Sequence, residues 1–300
     1  ALWMSFAELA LLGIGFLSVN LSGWKPLLLS RVLFYLTLFF SFYGFYPLLG
    51  GGDTVFTAFF FLLMLLTIRE GWDEVLGVLV VFGTVYPGRG GVLFLLLLIW
   101  IVYERRWSVF AIASMTLISL SLFSSLILSD WLSSYYQVLT GELNLSYGFF
   151  LSDFLYQFFP DLNFPLAQTL RWGLLFLLLL EWFNLRKRDF HHLFWVASLS
   201  IVVIPFLEIP VSPYFLIFFL FPLPLFFKSI EDRWHKYAGW FSVVILLLVL
   251  VAWFFVSGYE NVLQLLIFVS SVLCFIGLYW VRWWSLRVPR TWWDEARDFQ

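Results

Sequence analysis

The stretch Ser129–Pro165, SDWLSSYYQVLTGELNLSYGFFLSDFLYQFFPDLNFP, is the longest piece of this chain that cannot cross a membrane. It carries Asp130, Glu142, Asp153 and Asp161, has no Lys or Arg, and mixes aromatic residues with Ser, Gly and Asn. Such a mixture suits a loop at a membrane interface, where amphipathic rings sit between water and hydrocarbon. The apolar runs on either side of it decide the fold class.

Of the 300 residues, 62% are hydrophobic, 23% aromatic and only 12% charged, at a mean hydropathy of +0.94. No water-soluble domain of this length hides that much apolar surface. In hydrocarbon every backbone N–H and C=O must be paired within the chain, and long continuous apolar runs achieve this as helices. The fold class is therefore all-α, a polytopic transmembrane helical bundle. The formal net charge of −2 indicates no partner, since the distribution of charge over the loops carries the information in such proteins. The single cysteine, Cys274, lies in an apolar run, so no intrachain disulfide or cysteine metal cluster is available. The basic residues are scattered over short loops, which excludes a nucleic-acid-binding face. The chain opens ALWMSFAELALLGIGF, without Met or a basic segment ahead of the apolar run, so upstream sequence is expected.

A bilayer core takes about 20 apolar helical residues, fewer for half-spans buried among other helices. By that rule about eleven segments are expected: Leu2–Val19, Leu27–Leu48, Thr54–Ile68, Val75–Tyr86, Gly91–Tyr103, Val109–Leu128, Leu166–Phe183, Leu193–Phe206, Tyr214–Phe227, Ala238–Ser257 and Val262–Trp280. The fourth, fifth, eighth and ninth are short and lie beside VYPGRGG (Val85–Gly91) or IPFLEIPVSP (Ile204–Pro213). Short interrupted pairs of this kind often build the site of a membrane protein.

Lys and Arg collect in short cytoplasmic loops. With these segments, all 17 basic residues except Arg89 and Arg171 fall in one set of alternate loops, a bias that a wrong parity of spans would scramble. The expected organisation is a transmembrane domain over residues 1–280 with an outer loop at 129–165, followed by a cytoplasmic tail at 281–300. The outer side then holds Asp53, Asp130, Glu142, Asp153, Asp161, Glu208 and Glu260 with those two arginines.

Several residues invite a functional reading beside a plain one. An outer arginine can snorkel to headgroups or cap a helix, or clamp a phosphate with its planar guanidinium. Arg89, between Pro87-Gly88 and Gly90-Gly91, is the better anion site because backbone amides can approach there too. Asp53 follows three glycines at a span boundary; it either caps the next helix or serves as a general base or divalent-cation ligand. Glu208, in the proline-broken turn, divides the same way. Glu8 lies inside an apolar run, where ionisation is expensive, so it is protonated, paired or at the edge of a cavity. His191-His192 follows Arg186-Lys187-Arg188 without a partner at ligand spacing and reads as a headgroup-facing cluster rather than a metal site. The tyrosines Tyr135, Tyr136, Tyr147 and Tyr156 form an interfacial belt or stack on sugar rings. No nucleophile elbow, Walker loop, HExxH or haem motif is present.

The run GGGDTVFTAFFFLLMLLTIREGWDEVLGVLVVFGTVYPGRGGVLFLLLLIWIVYERRW (residues 50–107) resembles the middle of the polyprenol-phosphate-mannose-dependent mannosyltransferases of the GT-C superfamily. A glycine-polar junction opens a helix, a short turn precedes a Gly-containing helix, an outer Pro turn follows, and an apolar helix ends in a basic-aromatic cluster. Asn144-Leu145-Ser146 with Gly148–Leu155, and SPYFLIFFLFPLPLFF (residues 212–227), are similar to two later pieces of that family. The likeness covers roughly Leu27 to Phe227.

What the resemblance implies is transfer of a mannose-like sugar from a polyprenyl-phosphate donor to an acceptor at the outer face, with inversion and without a nucleotide. The lipid-linked sugar is a co-substrate, and neither a metal nor another cofactor is implied. Asp53 and Glu208 would supply the carboxylate that takes the acceptor proton, and Arg89 and Arg171 would hold the departing phosphate. Asn144, Tyr147 and Tyr214 would line the substrate groove. The sequence departs from the family in having Pro213-Tyr214 for a His-Tyr pair and Arg89 for a Lys, and the family's own catalytic Asp lies upstream of where this chain opens. Two other readings stand beside the enzyme: a non-catalytic membrane subunit of a larger complex, and a lipid or solute transporter, disfavoured by the scarcity of embedded charge. All three place the protein in the cytoplasmic membrane of a bacterium or archaeon, among lipids and other membrane subunits.

Overall fold

A computed structural model describes residues 2–50, 52–83, 90–143, 151–158, 163–185, 189–207, 212–234, 238–256 and 262–287. Among the described residues the chain is helical throughout and contains no strand. The helices are α1 (Leu2–Ser22), α2 (Leu28–Phe40), α3 (Phe42–Leu49), α4 (Asp53–Glu70), α5 (Asp73–Gly83), α6 (Gly91–Tyr103), α7 (Trp107–Ile127), α8 (Trp131–Leu143), α9 (Leu151–Phe158), α10 (Asn163–Asn184), α11 (Phe190–Val203), α12 (Pro222–Arg233), α13 (Ala238–Val256) and α14 (Val262–Arg287). A 3₁₀ turn, Ile204–Leu207, prolongs α11, and a 3₁₀ helix, Pro213–Leu220, leads into α12.

Among the described residues each expected apolar segment is mostly helical. Six stretches of the described residues are long and apolar enough to cross a membrane: Leu2–Ser22, Leu28–Leu49, Trp107–Ile127, Pro165–Asn184, Phe190–Leu207 and Pro213–Asp232. The eighth and ninth segments were expected to be short, and that is corrected here. Their helical runs extend into the polar flanks His191-His192 and Lys228–Asp232, which hydropathy alone trims away. The 3₁₀ portion also rises ~2.0 Å per residue against ~1.5 Å for α-helix, so the ninth reaches further than its residue count suggests. α5 and α6 are short, at 11 and 13 residues.

Three further expectations are revised. The second segment is broken at Ser41, whose extended backbone (φ −98°, ψ 167°) separates α2 from α3. Its hydroxyl donates to the Thr37 carbonyl, and a side chain at Gly44 would overlap the Leu38 carbonyl oxygen, so the kink closes tightly only on glycine. Within Ser129–Pro165, expected as an outer loop, the described residues include α8 and α9. α9 is amphipathic and buries Leu151, Phe154 and Leu155, with the Phe154 ring stacked on Phe268 at 4.4 Å. The tail expected from residue 281 begins as the last turns of α14, which runs on to Arg287.

The core forms around the segments between Phe190 and Arg233. Between Leu193 and Val203 every residue of α11 is buried, as is the 3₁₀ helix from Phe215 to Leu220. In a 3₁₀ helix side chains three apart eclipse, which sets Phe215 against Phe218 at 4.7 Å and Phe218 against Phe221 at 5.5 Å. Phe61 of α4 stacks on Phe221, and Phe94 of α6 meets Phe61 edge-on at 5.7 Å. Lipid is as apolar as these rings, so association here rests on shape and close packing rather than on expulsion of water.

The contacts between helix ends agree with the alternating loop order. At one end, Arg69 donates to the Asn20 carbonyl (3.3 Å) and lies over the Phe190 ring, the Lys25 amide donates to the Glu231 carboxylate (3.2 Å), and Arg106 pairs with Asp73 (3.1 Å). This basic end gathers α1, α4, α11, α12 and the α5–α7 junction. The far end gathers the glycine-rich junction before α4, the starts of α1 and α6, and the start of the 3₁₀ helix.

Candidate functional site

At the far end, four separate pieces of chain meet around the first turn of α4. Gly52, in the left-handed conformation (φ 77°), is the N-cap of α4 and makes no side-chain cap bond, so Asp53 is the first residue of the helix and not its cap. An aspartate there is favoured by the exposed amides and positive end of the helix dipole. Its backbone carbonyl accepts from the Thr57 hydroxyl at 3.0 Å, and its side chain is half-buried. A side chain at Gly52 would press on the Ala7 methyl (2.7 Å) and reach the Trp3 indole nitrogen, so α1 closes one flank. Trp3 in turn packs on Phe56 with ring centroids 4.6 Å apart.

The second flank is tyrosine. Tyr214, the second residue of the 3₁₀ helix, stacks on Tyr46 of α3 at 5.3 Å with the planes 27° apart. Ser212 caps the 3₁₀ helix by accepting from the Tyr214 amide at 3.3 Å. The Tyr214 ring fills the space that a side chain at Gly50 would occupy, so the glycines before Asp53 exist partly to admit it. The third flank is Gly90, at the start of α6: its Cβ position lies 3.2 Å from Phe218 and 3.3 Å from the Thr57 methyl. Thr57 is one turn after Asp53, so Gly90 meets α4 about 6 Å along the helix from Asp53.

The structure thus sets Tyr214 against Gly50, three residues before Asp53, and Gly90 against Thr57, one turn after it. It does not bring Arg171 to them. Arg171 lies on α10, which packs chiefly on α9, α11 and the 3₁₀ turn, and its guanidinium lies 5.5 Å from the Trp172 ring. Arg89, Glu208, Asn144 and Tyr147 lie outside the described residues. Glu8, expected to be protonated, paired or at the edge of a cavity, lies on the exposed face of α1. His191 is exposed, while His192 stacks on Trp195 at 5.9 Å. Among the described residues no three His, Cys, Asp or Glu side chains gather as metal ligands. Tyr46 and Trp3 escaped the sequence reading, and Gly50 entered it only as one of the three glycines before Asp53. Tyr46-Pro47 preceding three glycines and an aspartate was the available signal.

The chain matches no family model, no curated protein and no solved structure.

Proposed function

We propose that this integral membrane protein is a GT-C-like glycosyltransferase of about eleven spans, with α5 and α6 forming a short hairpin of half-spans. It would transfer a mannose-like sugar from a polyprenyl-phosphate donor to an acceptor at the outer face. The observation that supports the reading is the packing of Tyr214, stacked on Tyr46, against Gly50 three residues before Asp53, with Gly90 against Thr57 one turn after it. A carboxylate at a helix start, close in the chain to a tyrosine pair, fits what an acceptor hydroxyl and a hexose require. Arg89, one residue from Gly90, supplies the cation for the departing lipid phosphate. The basic end faces the cytoplasm on this reading, as the charge rule directs, and the carboxyl tail with it.

The test is sugar transfer by the full chain in proteoliposomes carrying synthetic polyprenyl-phosphate-mannose. Asp53→Asn should lower kcat by ~10²–10⁴-fold, the share of a general base, with folding intact because the helix-start charge contributes only ~0.3–1 kcal/mol. Transfer undiminished in Asp53→Asn would refute the role of that carboxylate, and no transfer from any polyprenyl-phosphate sugar would refute the enzyme.

One observation favours the second reading, a non-catalytic subunit of a membrane complex. α7 is held at its start, where Val109 is buried, while Met115, Leu122 and Leu126 further along stand exposed. Co-purification of a stoichiometric membrane partner, lost on Leu122→Ala with Leu126→Ala, would support it over the enzyme.

A further inference from the structure

A crevice of about 480 Å³ lies between α3, the 3₁₀ helix with α12, α13 and α14, separate from the Asp53 cluster. Its walls are hydrocarbon and aromatic: Phe42, Phe219, Leu223, Phe226, Leu248 and Leu273 are representative. The two hydroxyls on its wall are spent on each other, Tyr43 and Ser270 hydrogen-bonding at 2.7 Å, and the Cys274 thiol beside them behaves as a small hydrophobe. A pocket that presents no free polar partner stays dry and takes an apolar occupant.

We infer that this crevice is a binding site for one fatty-acyl chain of a bilayer lipid. Size argues for it first. An apolar cavity of ~150 Å³ holds one benzene, so this one has room for three times as much, near eighteen carbons. That matches a single acyl chain, whereas a polyprenyl chain, several times longer, overfills it. The mouth argues for it second. Leu248 and Leu273, which line the crevice, are 62% and 63% exposed, and with Val251 and Ile276 they continue the crevice wall into the lipid-facing flank of α13 and α14. Depth argues for it third. The lining begins at Leu266, one turn inside α14, and ends at Leu278, about two-thirds of the way along it, a range reached by a chain whose headgroup stays at the far end. The site stands whether or not the protein transfers sugar.

The experiment uses the full chain in phosphatidylcholine vesicles doped either with a phosphatidylcholine bearing a diazirine in one acyl chain or with a diazirine-tagged polyprenyl phosphate. Adducts are mapped by peptide mass spectrometry after irradiation. The acyl probe should label α14 between Leu266 and Leu278. Gly277→Phe should cut that labelling about ten-fold or more by filling the space, while labelling of the exposed α7 residues Leu122 and Phe123 stays unchanged and serves as the measure of general lipid contact. The Cβ of Gly277 has only ordinary contacts, at 3.6 Å from Phe226, so the substitution grows into the void. Ala252→Trp, at the exposed mouth, repeats the test should Gly277→Phe not fold. Equal loss at α7 and α14, or no loss in either filled variant, overturns the site. Labelling of α14 by the polyprenyl probe and not by the acyl probe overturns the acyl assignment.

Discussion

Gly50→Ala is the sharpest probe of the far-end cluster. The built Cβ would lie 2.5 and 2.7 Å from Cζ and Cδ1 of the Tyr214 ring. Carbon atoms rest at ~3.5–4.0 Å, so the ring must retreat by ~1 Å. It has little freedom to do so, with its amide tied to Ser212 and its face stacked on Tyr46 at 5.3 Å. Overpacking of this kind costs ~1–3 kcal/mol, and disturbing the stack adds up to ~0.5–1.5 kcal/mol. The Gly50 backbone (φ −74°, ψ 12°) suits alanine, which returns ~0.4–1 kcal/mol through the unfolded chain. The net expectation is a loss of ~1–2 kcal/mol by these terms. In a Tyr214→Ala background the obstacle is gone, and Gly50→Ala should become neutral or mildly stabilising. The assay is reversible unfolding in mixed micelles of the four proteins in the cycle, where a coupling of ~1–3 kcal/mol is expected for residues in contact. If the two substitutions add to within ~0.5 kcal/mol, the argued contact between Gly50 and Tyr214 is wrong.

Other outcomes follow from contacts elsewhere in the bundle. Tyr43→Phe and Ser270→Ala should each destabilise, with a coupling near ~0.6 kcal/mol and at most ~1.7, the range for hydrogen bonds between membrane helices, and a cycle coupling of zero would refute the bond. Asp73→Ala removes the acceptor of both Arg106 (3.1 Å) and the Ser108 hydroxyl (2.7 Å). Because the pair is partly exposed, its loss should cost only ~0.2–1 kcal/mol and shrink in high salt, and a salt-independent loss would refute an electrostatic origin. Gly77→Leu places carbon 2.9 Å from the Val109 carbonyl and 2.8 Å from Ile112, so α7 must move bodily off α5. Crosslinking between cysteines introduced on α5 and α7 should then drop sharply while the rest of the bundle remains folded; unchanged crosslinking would contradict the packing.

Much of the fold was legible because its cause is local. Composition and the length of the apolar runs demand helices in hydrocarbon, and the bias of Lys and Arg toward alternate loops predicts which helix ends share a side, as the contacts of Arg69 with Asn20 and of Lys25 with Glu231 agree. The errors also have local causes. Hydropathy averages over Ser41 and does not register a backbone break enforced by Gly44 against Leu38. It trims the polar ends of the segments at His191-His192 and Lys228–Asp232, and it read Ser129–Pro165 as a loop because the amphipathic α9 has too little apolar length to signal a span.

The candidate site was only partly legible. Asp53 and Tyr214 were named for their neighbours in sequence, but 161 positions separate them, and nothing in either segment specifies the other. Tertiary packing decided that Tyr214 fills the space above Gly50, that Gly90 enters beside Thr57, and that Arg171 stays on α10. The crevice lined by Tyr43, Ser270 and Cys274 belongs to the same class of fact. Residue chemistry along the chain determined the solvent, the helical class and the two ends of this protein. Which side chains share a site depended on how helices pack in a medium that offers no hydrophobic drive, where glycine gaps and ring shapes select the neighbours.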